Sequence, residues 1–210
     1  MPIVVVANPK GGVGKTTLAT HVAGYFASRG HSTLLGDIDK QQSSRLWLDL
    51  RPEAAAKIST WDVNEDRIGK PPKGTTHVVL DSPAGLHGWR FKESLAMADA
   101  LLVPVQASIF DIYATKTFVD EVLAFVKVQR NAKPLRVGVV GTRLDERTIA
   151  AEKLHEFVAK LPVPWLGSVR NTQNYVHLAA RGLTIFDIAP GRVEKDLAQW
   201  QPICNWLGKL

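Results

Sequence analysis

The 210-residue sequence contains a single cysteine, Cys204. One thiol excludes an internal disulfide framework and any metal site that needs several thiolates from the same chain. No run approaches the ~18 to 20 apolar residues that span a bilayer. The apolar segment 3–7 has neither a basic leader before it nor a small-residue cleavage pattern after it, so it predicts a strand. These absences favour a reducing cytosol and predict no integral membrane association.

Repeats and low-complexity tracts are also absent, and 45% of the residues are hydrophobic. This content is enough to bury one large core, so the sequence predicts a single domain over residues 1–210. Lys and Arg total 26 against 20 Asp and Glu, which gives a net charge of +6. A positive balance favours polyanionic partners such as nucleic acid or an anionic membrane surface.

Short apolar runs alternate with longer segments of helical period. The predicted strands are Ile3–Ala7, Ser32–Gly36, His77–Leu80, Ala100–Val105 and Val137–Gly141. The predicted helices are Thr16–Arg29, Gln42–Leu50, Lys92–Met97, Ile112–Arg130 and Glu146–Leu161. This alternation predicts an α/β fold with an open, mostly parallel twisted sheet and helices on both faces. Residues 51–66 give mixed signals, and Pro and Gly at 162–167 predict a surface turn.

The segment Lys10–Thr17 follows a predicted strand and opens a predicted helix, which is the context of a phosphate-binding loop. Glycines let the backbone curl so that its N–H groups point at phosphate oxygens, and the helix N-terminus adds positive charge. Lys15 is expected to neutralise the β- and γ-phosphates, Thr16 to offer a hydroxyl to Mg²⁺, and Thr17 to hold the α-phosphate. The residues predicted to bind the nucleotide are Gly11, Gly12, Val13, Gly14, Lys15, Thr16 and Thr17. The expected cofactors are ATP and Mg²⁺.

The loop departs from the usual pattern because Pro9 stands where a glycine is expected and Lys10 precedes the two glycines. In this the sequence resembles the ParA/MinD family of ATPases, whose deviant loop reads Lys-Gly-Gly-x-Gly-Lys-Thr-Thr. The resemblance implies that Lys10 reaches the phosphates of a partner subunit, so that ATP holds a homodimer together. A cation placed there would also stabilise charge in the transition state.

Two carboxylates follow the second strand in the sequence Asp37-Ile38-Asp39-Lys40-Gln41-Gln42, at the edge of the sheet where ligands bind in such folds. The stretch resembles the family's Asp-x-Asp-Pro-Gln element, with Lys40 in place of proline. The resemblance implies that Asp39 orients the attacking water and that Asp37 supports the magnesium shell. Either aspartate could instead cap the helix that begins near Gln42.

A third carboxylate, Asp81, ends the apolar strand at 77–80 and precedes Ser82-Pro83-Ala84-Gly85. The order of phosphate loop, Asp-x-Asp turn and this strand resembles the same family. It implies that Asp81 holds Mg²⁺ through water and that Gly85 permits backbone motion when the γ-phosphate leaves. The alternative is that Asp81 forms a turn before Pro83.

Looser matches extend over most of the chain, at 104–111, at 142–148 and from Val169-Arg170-Asn171 to Gly182. The resemblance to the short partition ATPases implies hydrolysis that is slow alone, sequence-independent binding to DNA by the ATP dimer, and stimulation by an adaptor protein on a cargo. It also implies a cytoplasmic, nucleoid-associated location in bacteria. Candidate DNA contacts are Arg143, Arg147, Arg170, Arg181, Arg192 and Lys195.

Three alternatives remain open. A MinD-like membrane ATPase would use residues 193–207 as an interfacial helix, but their polar face mixes acids with bases, which favours packing on the core. A metabolic relative would be a reductase or a ligase. One cysteine per subunit is too few for the reductase's cluster, and the sequence shows no substrate pocket for a ligase. A third possibility is a nucleotide-dependent scaffold with negligible turnover.

Overall fold

The computed structural model describes residues 1–39, 41–61, 71–85, 88–128 and 134–210. The strands in these ranges are β1 (Ile3–Val6), β2 (Thr33–Asp37), β3 (Ile58–Trp61), β4 (His77–Asp81), β5 (Ala100–Val105), β6 (Arg136–Leu144) and β7 (Trp165–Arg170). The α-helices are α1 (Lys15–Ser28), α2 (Ser43–Asp49), α3 (Gly88–Met97), α4 (Ile109–Val128), α5 (Ile149–Val158), α6 (Gln173–Ala179) and α7 (Glu194–Leu207).

The strands of the described ranges form one sheet in the order β3-β2-β4-β1-β5-β6-β7. Each neighbouring pair is parallel. The carboxyl ends of all strands therefore meet at one edge, and β1, which leads into the phosphate loop, lies at the centre. The predicted open parallel sheet is confirmed.

Two apolar clusters cover the two faces of the sheet. Along β1, Val4 and Val6 belong to one cluster, whereas Ile3 and Val5 belong to the other, as the alternation of side chains in a strand requires. The first cluster also contains residues of α1, α6 and α7, and the second contains residues of α3, α4 and α5. Because both faces are covered, central strands are apolar throughout instead of alternating with polar residues.

The two edge strands were not predicted. In β3 only Ile58 and Trp61 are buried, and in β7 only Leu166 and Val169 are. An edge strand packs fewer of its side chains, so neither segment forms a continuous apolar run. The turn predicted at 162–167 was wrong for its second half, because β7 begins at Trp165 despite the nearby Pro and Gly. The unassigned segment 51–66 holds β3, and its residues 62–66 lie outside the described ranges.

Helix ends differ from the predicted bounds where a side chain caps the helix. The helix predicted from Glu146 begins at Ile149, because the Thr148 hydroxyl accepts a hydrogen bond from the N–H of Ala151 at 3.2 Å. The helix predicted from Ile112 begins earlier, at Ile109, and the last two residues of its predicted range, 129 and 130, are outside the described ranges.

The C-terminal helix α7 packs on the core, as its mixed polar face predicted. Val193, Trp200, Ile203 and Leu207 are each at most 3% exposed. They pack with residues of α1 and β1 in the first cluster. Among the helices of the described ranges, none combines the length and the apolar content needed to cross a bilayer.

Candidate functional site

The phosphate loop connects the end of β1 to α1. Two of its residues have a backbone conformation that only glycine adopts without strain. Gly12 has φ 75° and Gly14 has φ 84°, both in the left-handed region. Gly14 is the residue that caps the 14-residue helix α1 at its N-terminus. The loop therefore wraps the positive end of a long helix, which is where an anion binds most favourably.

Lys15 lies inside this loop. Its side chain is buried and its Nζ donates to the backbone carbonyl of Lys10 at 2.7 Å. Burial lowers the pKa of Lys15, while the negative charges of Asp81 and Asp39 oppose that change. This hydrogen bond of the ammonium group is to a neutral backbone carbonyl, so an anionic phosphate would replace that carbonyl favourably.

Lys10 opens the loop and is partly exposed. Its backbone N–H donates to Oδ1 of Asn8 at 2.9 Å. Asn8 is 1% exposed and its Nδ2 donates to the carbonyl of Pro104 at 2.8 Å and to Oγ1 of Thr115 at 2.9 Å. Asn8 therefore fixes the start of the loop to β5 and α4, a role that the sequence analysis did not assign.

Two more polar side chains hold the loop from neighbouring strands. Gln106, just after β5, donates from Nε2 to the carbonyl of Gly12 at 2.9 Å. Thr142 in β6 donates from Oγ1 to the carbonyl of Val13 at 2.8 Å. Both residues fell within the looser sequence matches but had no predicted role. Their position at the carboxyl end of a central strand is the signal that could have identified them.

Asp81 lies at the end of β4, directly opposite Asp37 at the end of β2. It is 1% exposed, and its Oδ1 has no hydrogen-bond partner among the described residues. Burial raises the pKa of Asp81 to about 7, and the negative charge of Asp37 adds to this rise, whereas hydrogen bonds from Thr16 and Ser44 and the charge of Lys15 oppose it. A buried carboxylate oxygen without a partner, beside a threonine hydroxyl, fits the oxygen ligands that Mg²⁺ prefers.

Asp37 has a local structural role. Its Oδ2 accepts from the N–H of Ser44 at 2.9 Å and from the Ser44 hydroxyl at 2.8 Å. Its Oδ1 accepts from the N–H of Asp39 at 2.9 Å. These are the contacts of a cap on the first turn of α2. The structure thus shows the capping arrangement, and the metal role of Asp37 stays a prediction.

Asp39 lies on the turn between β2 and α2 and is partly exposed. Its Oδ1 accepts from the N–H of Gln41 at 3.0 Å. Because β2, β4 and β1 are parallel, Asp39 and the phosphate loop follow strands that end at the same edge of the sheet. The negative charge of Asp39 accordingly opposes the lowering of the Lys15 pKa. The neighbouring Lys40, which replaces the family's proline, lies outside the described residues.

A cavity of about 290 Å³ adjoins the phosphate loop at Gly14 and Thr17. Its apolar lining residues come from β7, α1, α6 and α7, and its polar ones, apart from Thr17 of α1, come from the carboxyl ends of β6 and β7 and from the segment that follows β7. The apolar lining residues include Leu18, Val169, Tyr175, Val176 and Trp200, and the polar ones include Arg143, Arg170, Asn171 and Thr172. A slot with apolar walls beside a phosphate loop suits a planar heterocycle joined to phosphates.

Phosphate loop, buried carboxylate and apolar slot together form a site for a nucleoside phosphate. Residues 4–185 match the CobQ/CobB/MinD/ParA nucleotide binding domain family. The chain belongs to this family. The predicted ParA/MinD family membership is therefore confirmed.

Relatives within the family share about a quarter of their residues with this chain. It is 28% identical over 201 residues to the maintenance of carboxysome distribution protein A of Halothiobacillus neapolitanus, covering 91% of this chain and 90% of that protein. It is 27% identical over 183 residues to the chromosome-partitioning ATPase Soj of Thermus thermophilus, covering 72% and 73% of the two chains. The crystal structure of a plasmid partition protein from Borrelia burgdorferi B31 bound to AMPPNP shares the fold, with a TM-score of 0.72, 17% identity and coverage of 100% and 99%.

Two of the six arginines and lysines predicted to contact DNA lie at the cavity. Arg143 is exposed at the end of β6 with φ 51°, and Arg170 ends β7. Both line the cavity beside the phosphate loop. Arg170 is bound by Asp196 of α7, from Nε to Oδ1 at 2.6 Å. The structure therefore gives Arg170 a local partner, and a contact with DNA stays a prediction.

The other four candidates are exposed. Arg147 forms a bidentate pair with Asp145, at 2.9 Å from Nε and 2.8 Å from Nη2, which lowers the pKa of Asp145 to about 2. Arg181 follows α6, Arg192 precedes α7 and Lys195 lies in its first turn. These three lie in the C-terminal part of the chain, which makes them the more available candidates for phosphate contacts.

Proposed function

We propose that this chain is an ATPase that positions a cargo. In this proposal ATP and Mg²⁺ bind at the phosphate loop, the ATP state is a homodimer that binds DNA without sequence preference, and an adaptor protein on the cargo stimulates hydrolysis. The observation that carries it is the folded Lys10–Thr17 loop, with Lys15 buried beside the unpartnered Oδ1 of Asp81. Relatives named for chromosome partitioning and for carboxysome distribution support the cargo-positioning part.

Binding of ATP would use groups that are already in place. The N–H groups of the loop and of the first turn of α1 point toward the phosphates, and Lys15 exchanges the Lys10 carbonyl for phosphate oxygens. The cavity that Thr17 shares with Tyr175 and Trp200 receives the nucleoside. Lys10, which is partly exposed, is the residue that we assign to the phosphates of a second subunit.

Magnesium, when bound, neutralises charge that develops on the β- and γ-phosphates. Thr16 and Asp81 are the residues that would hold it, and Asp37 would support Asp81 from the neighbouring strand while it caps α2. Asp39 is assigned to the attacking water, since it is partly exposed at the edge of the sheet where the phosphate loop lies and its charge acts on Lys15. Hydrolysis by water needs no covalent intermediate with the protein, so positioning and charge are what these residues contribute.

Binding of DNA by the dimer rests on the positive charge of the chain and on exposed cations near its C-terminus. Neutralising DNA phosphates releases counterions, which gives affinity that is independent of sequence and falls steeply with salt. The excess of 26 basic over 20 acidic residues supports such a surface. Arg181, Arg192 and Lys195 are the contacts we propose first.

The adaptor has a candidate docking surface between α4 and α5. This groove of about 610 Å³ has an apolar floor that includes Ile112 and Phe157, and its rim carries three lysines, Lys116, Lys153 and Lys160, with one glutamate, Glu156. Ile109, Tyr113 and Ile149 are each more than 60% exposed along it. We propose that an amphipathic helix of the adaptor with acidic residues beside its apolar face binds here, because exposed apolar side chains line the groove and its lysines outnumber its glutamate.

The test is binding to random-sequence duplex DNA, and in parallel to anionic liposomes, with ATP, ADP or no nucleotide across a salt series. ATP-dependent DNA binding that weakens with salt is the expected result, with Lys15→Ala as the variant that loses it. Binding to liposomes alone would assign the chain to membrane positioning instead. Binding to neither, in a protein that still hydrolyses ATP, would refute the cargo-positioning proposal and favour a metabolic reaction.

A further inference from the structure

The C-terminal helix α7 contributes directly to the cavity beside the phosphate loop. Trp200 lines that cavity and donates from Nε1 to the hydroxyl of Tyr175, another lining residue, at 3.0 Å. Gln199, one position earlier, accepts the backbone N–H of Arg170 at 3.0 Å. One turn before Trp200 lies Asp196, whose carboxylate reaches the end of β7. The helix thus holds the polar edge of the cavity as well as one of its walls.

Asp196 is fully buried, and its carboxylate is bound by side chains from two other elements. Arg170 donates from Nε to Oδ1 at 2.6 Å and from Nη2 to Oδ2 at 3.2 Å. Asn174 in α6 donates from Nδ2 to Oδ2 at 2.7 Å. Two parallel contacts between a guanidinium and a carboxylate fix the plane of the arginine as well as its position. Asp196 therefore determines how Arg170 is oriented.

The other side of Arg170 is open to the cavity. Its side chain is 37% exposed, whereas that of Asp196 is 0% exposed. Arg170 and its neighbour Asn171 line the same cavity as Thr17 of the phosphate loop. A guanidinium held in this way offers a rigid plane and free N–H groups to a ligand in the cavity, at little cost in side-chain entropy.

We propose that Asp196 is a positioning residue for nucleotide binding, acting through Arg170 on the nucleoside half of the ligand and not on its phosphates. This inference rests on the proposed function, since it assumes that the nucleoside occupies the cavity. The purely structural reading is that the pair only fastens α7 to β7. The two readings differ in which part of the ligand would lose affinity when the carboxylate is neutralised.

The experiment compares two ligands that share the phosphate loop but differ in the cavity: ATP, and inorganic tripolyphosphate, which has no nucleoside. Dissociation constants for both are measured with Mg²⁺ by calorimetry on wild type and Asp196→Asn. We expect the dissociation constant for ATP to rise about tenfold, by loss of an oriented charged contact. That for tripolyphosphate should stay within about twofold, because the loop is unchanged. Glu194→Gln is the matched control, since it makes the same chemical change at an exposed position of α7.

A second pair of variants tests whether Asp196 acts through Arg170. Arg170→Lys keeps the charge but cannot form the two parallel contacts. It should therefore lose the same affinity for ATP as Asp196→Asn and keep its affinity for tripolyphosphate. The double variant, which combines both substitutions, should then have a dissociation constant for ATP within about twofold of that of Arg170→Lys alone. If Asp196→Asn does not fold, the partly exposed Arg170→Lys, which breaks the same paired contact from the other side, replaces it: a loss confined to ATP would support the inference, and equal or absent losses would overturn it.

Equal losses for ATP and tripolyphosphate would overturn the inference, because they would show a general disturbance of the site. No loss for either ligand would overturn it as well. A wild-type protein that binds tripolyphosphate as tightly as ATP would show that the cavity takes no nucleoside. A wild-type protein that binds neither would instead refute the proposed function, so the two failures are distinguishable.

Discussion

Replacing Asp81 by asparagine should stabilise the protein in the absence of ligand, even though Asp81 is assigned to the metal. Burial raises the pKa of this carboxyl from its ordinary value of 3.8 to about 7. Between these values the folded chain binds more protons than the unfolded chain, so its stability falls as pH rises through that window. Asparagine fits the same space without a charge and avoids this loss.

The size of the effect follows from the difference between the two pKa values. One pKa unit corresponds to about 1.4 kcal/mol. Ionisation of Asp81 therefore lowers the free energy of unfolding by about 4 kcal/mol at pH 8 and by less than half of that at pH 5. The gain from Asp81→Asn in free energy of unfolding should therefore be about 2 to 3 kcal/mol larger at pH 8 than at pH 5. Urea unfolding at the two pH values, without nucleotide or Mg²⁺, measures this difference.

The control is Asp120→Asn, an exposed acid in α4 that pairs with Lys116 and should change stability by less than about 1 kcal/mol at either pH. Adding Mg²⁺ and ATP should stabilise the wild type at pH 8 and have much less effect on Asp81→Asn, which lacks the metal ligand. An Asp81→Asn variant that is equally destabilised at both pH values would refute the reasoning, because it would show that the carboxylate is well accommodated in the folded state.

Three further predictions concern turnover, assembly and DNA. Asp39→Ala should bind ATP with unchanged affinity but lose most hydrolysis, so that light scattering shows a persistent ATP dimer. Hydrolysis at the wild-type rate would contradict the assignment of Asp39 to the attacking water. Lys10→Ala should bind ATP as a monomer in the same assay, and a dimer of wild-type strength would exclude contact across the subunits. Arg181→Ala with Arg192→Ala removes four arginines from the dimer, so it should weaken DNA binding and lower the salt slope by about 4, whereas Lys153→Ala, whose lysine pairs with Glu156, should not. An unchanged slope in the double variant would remove both arginines from the interface.

The local features of the phosphate site could be read from the sequence because they depend on residue type at fixed spacing. Gly12 and Gly14 are needed wherever the backbone turns into the left-handed region, and Lys15 enters the helix directly after them. Asp37 and Asp81 follow apolar runs, and the carboxyl ends of parallel strands meet at one edge. Spacing and strand order therefore sufficed to predict the fold class and to group the site residues.

Only the tertiary structure could decide what depends on contacts between distant segments. Asn8 and Gln106 support the phosphate loop through hydrogen bonds across about a hundred positions of sequence, which no local pattern encodes. The same holds for Arg170, which looked like a surface cation but meets the buried Asp196 of a helix 26 positions later. Edge strands such as β7 were also not predicted, because they bury too few side chains to give a periodic pattern in the sequence. The sequence by itself thus determined the fold class and the phosphate-binding loop, and the tertiary structure decided which distant side chains support that loop.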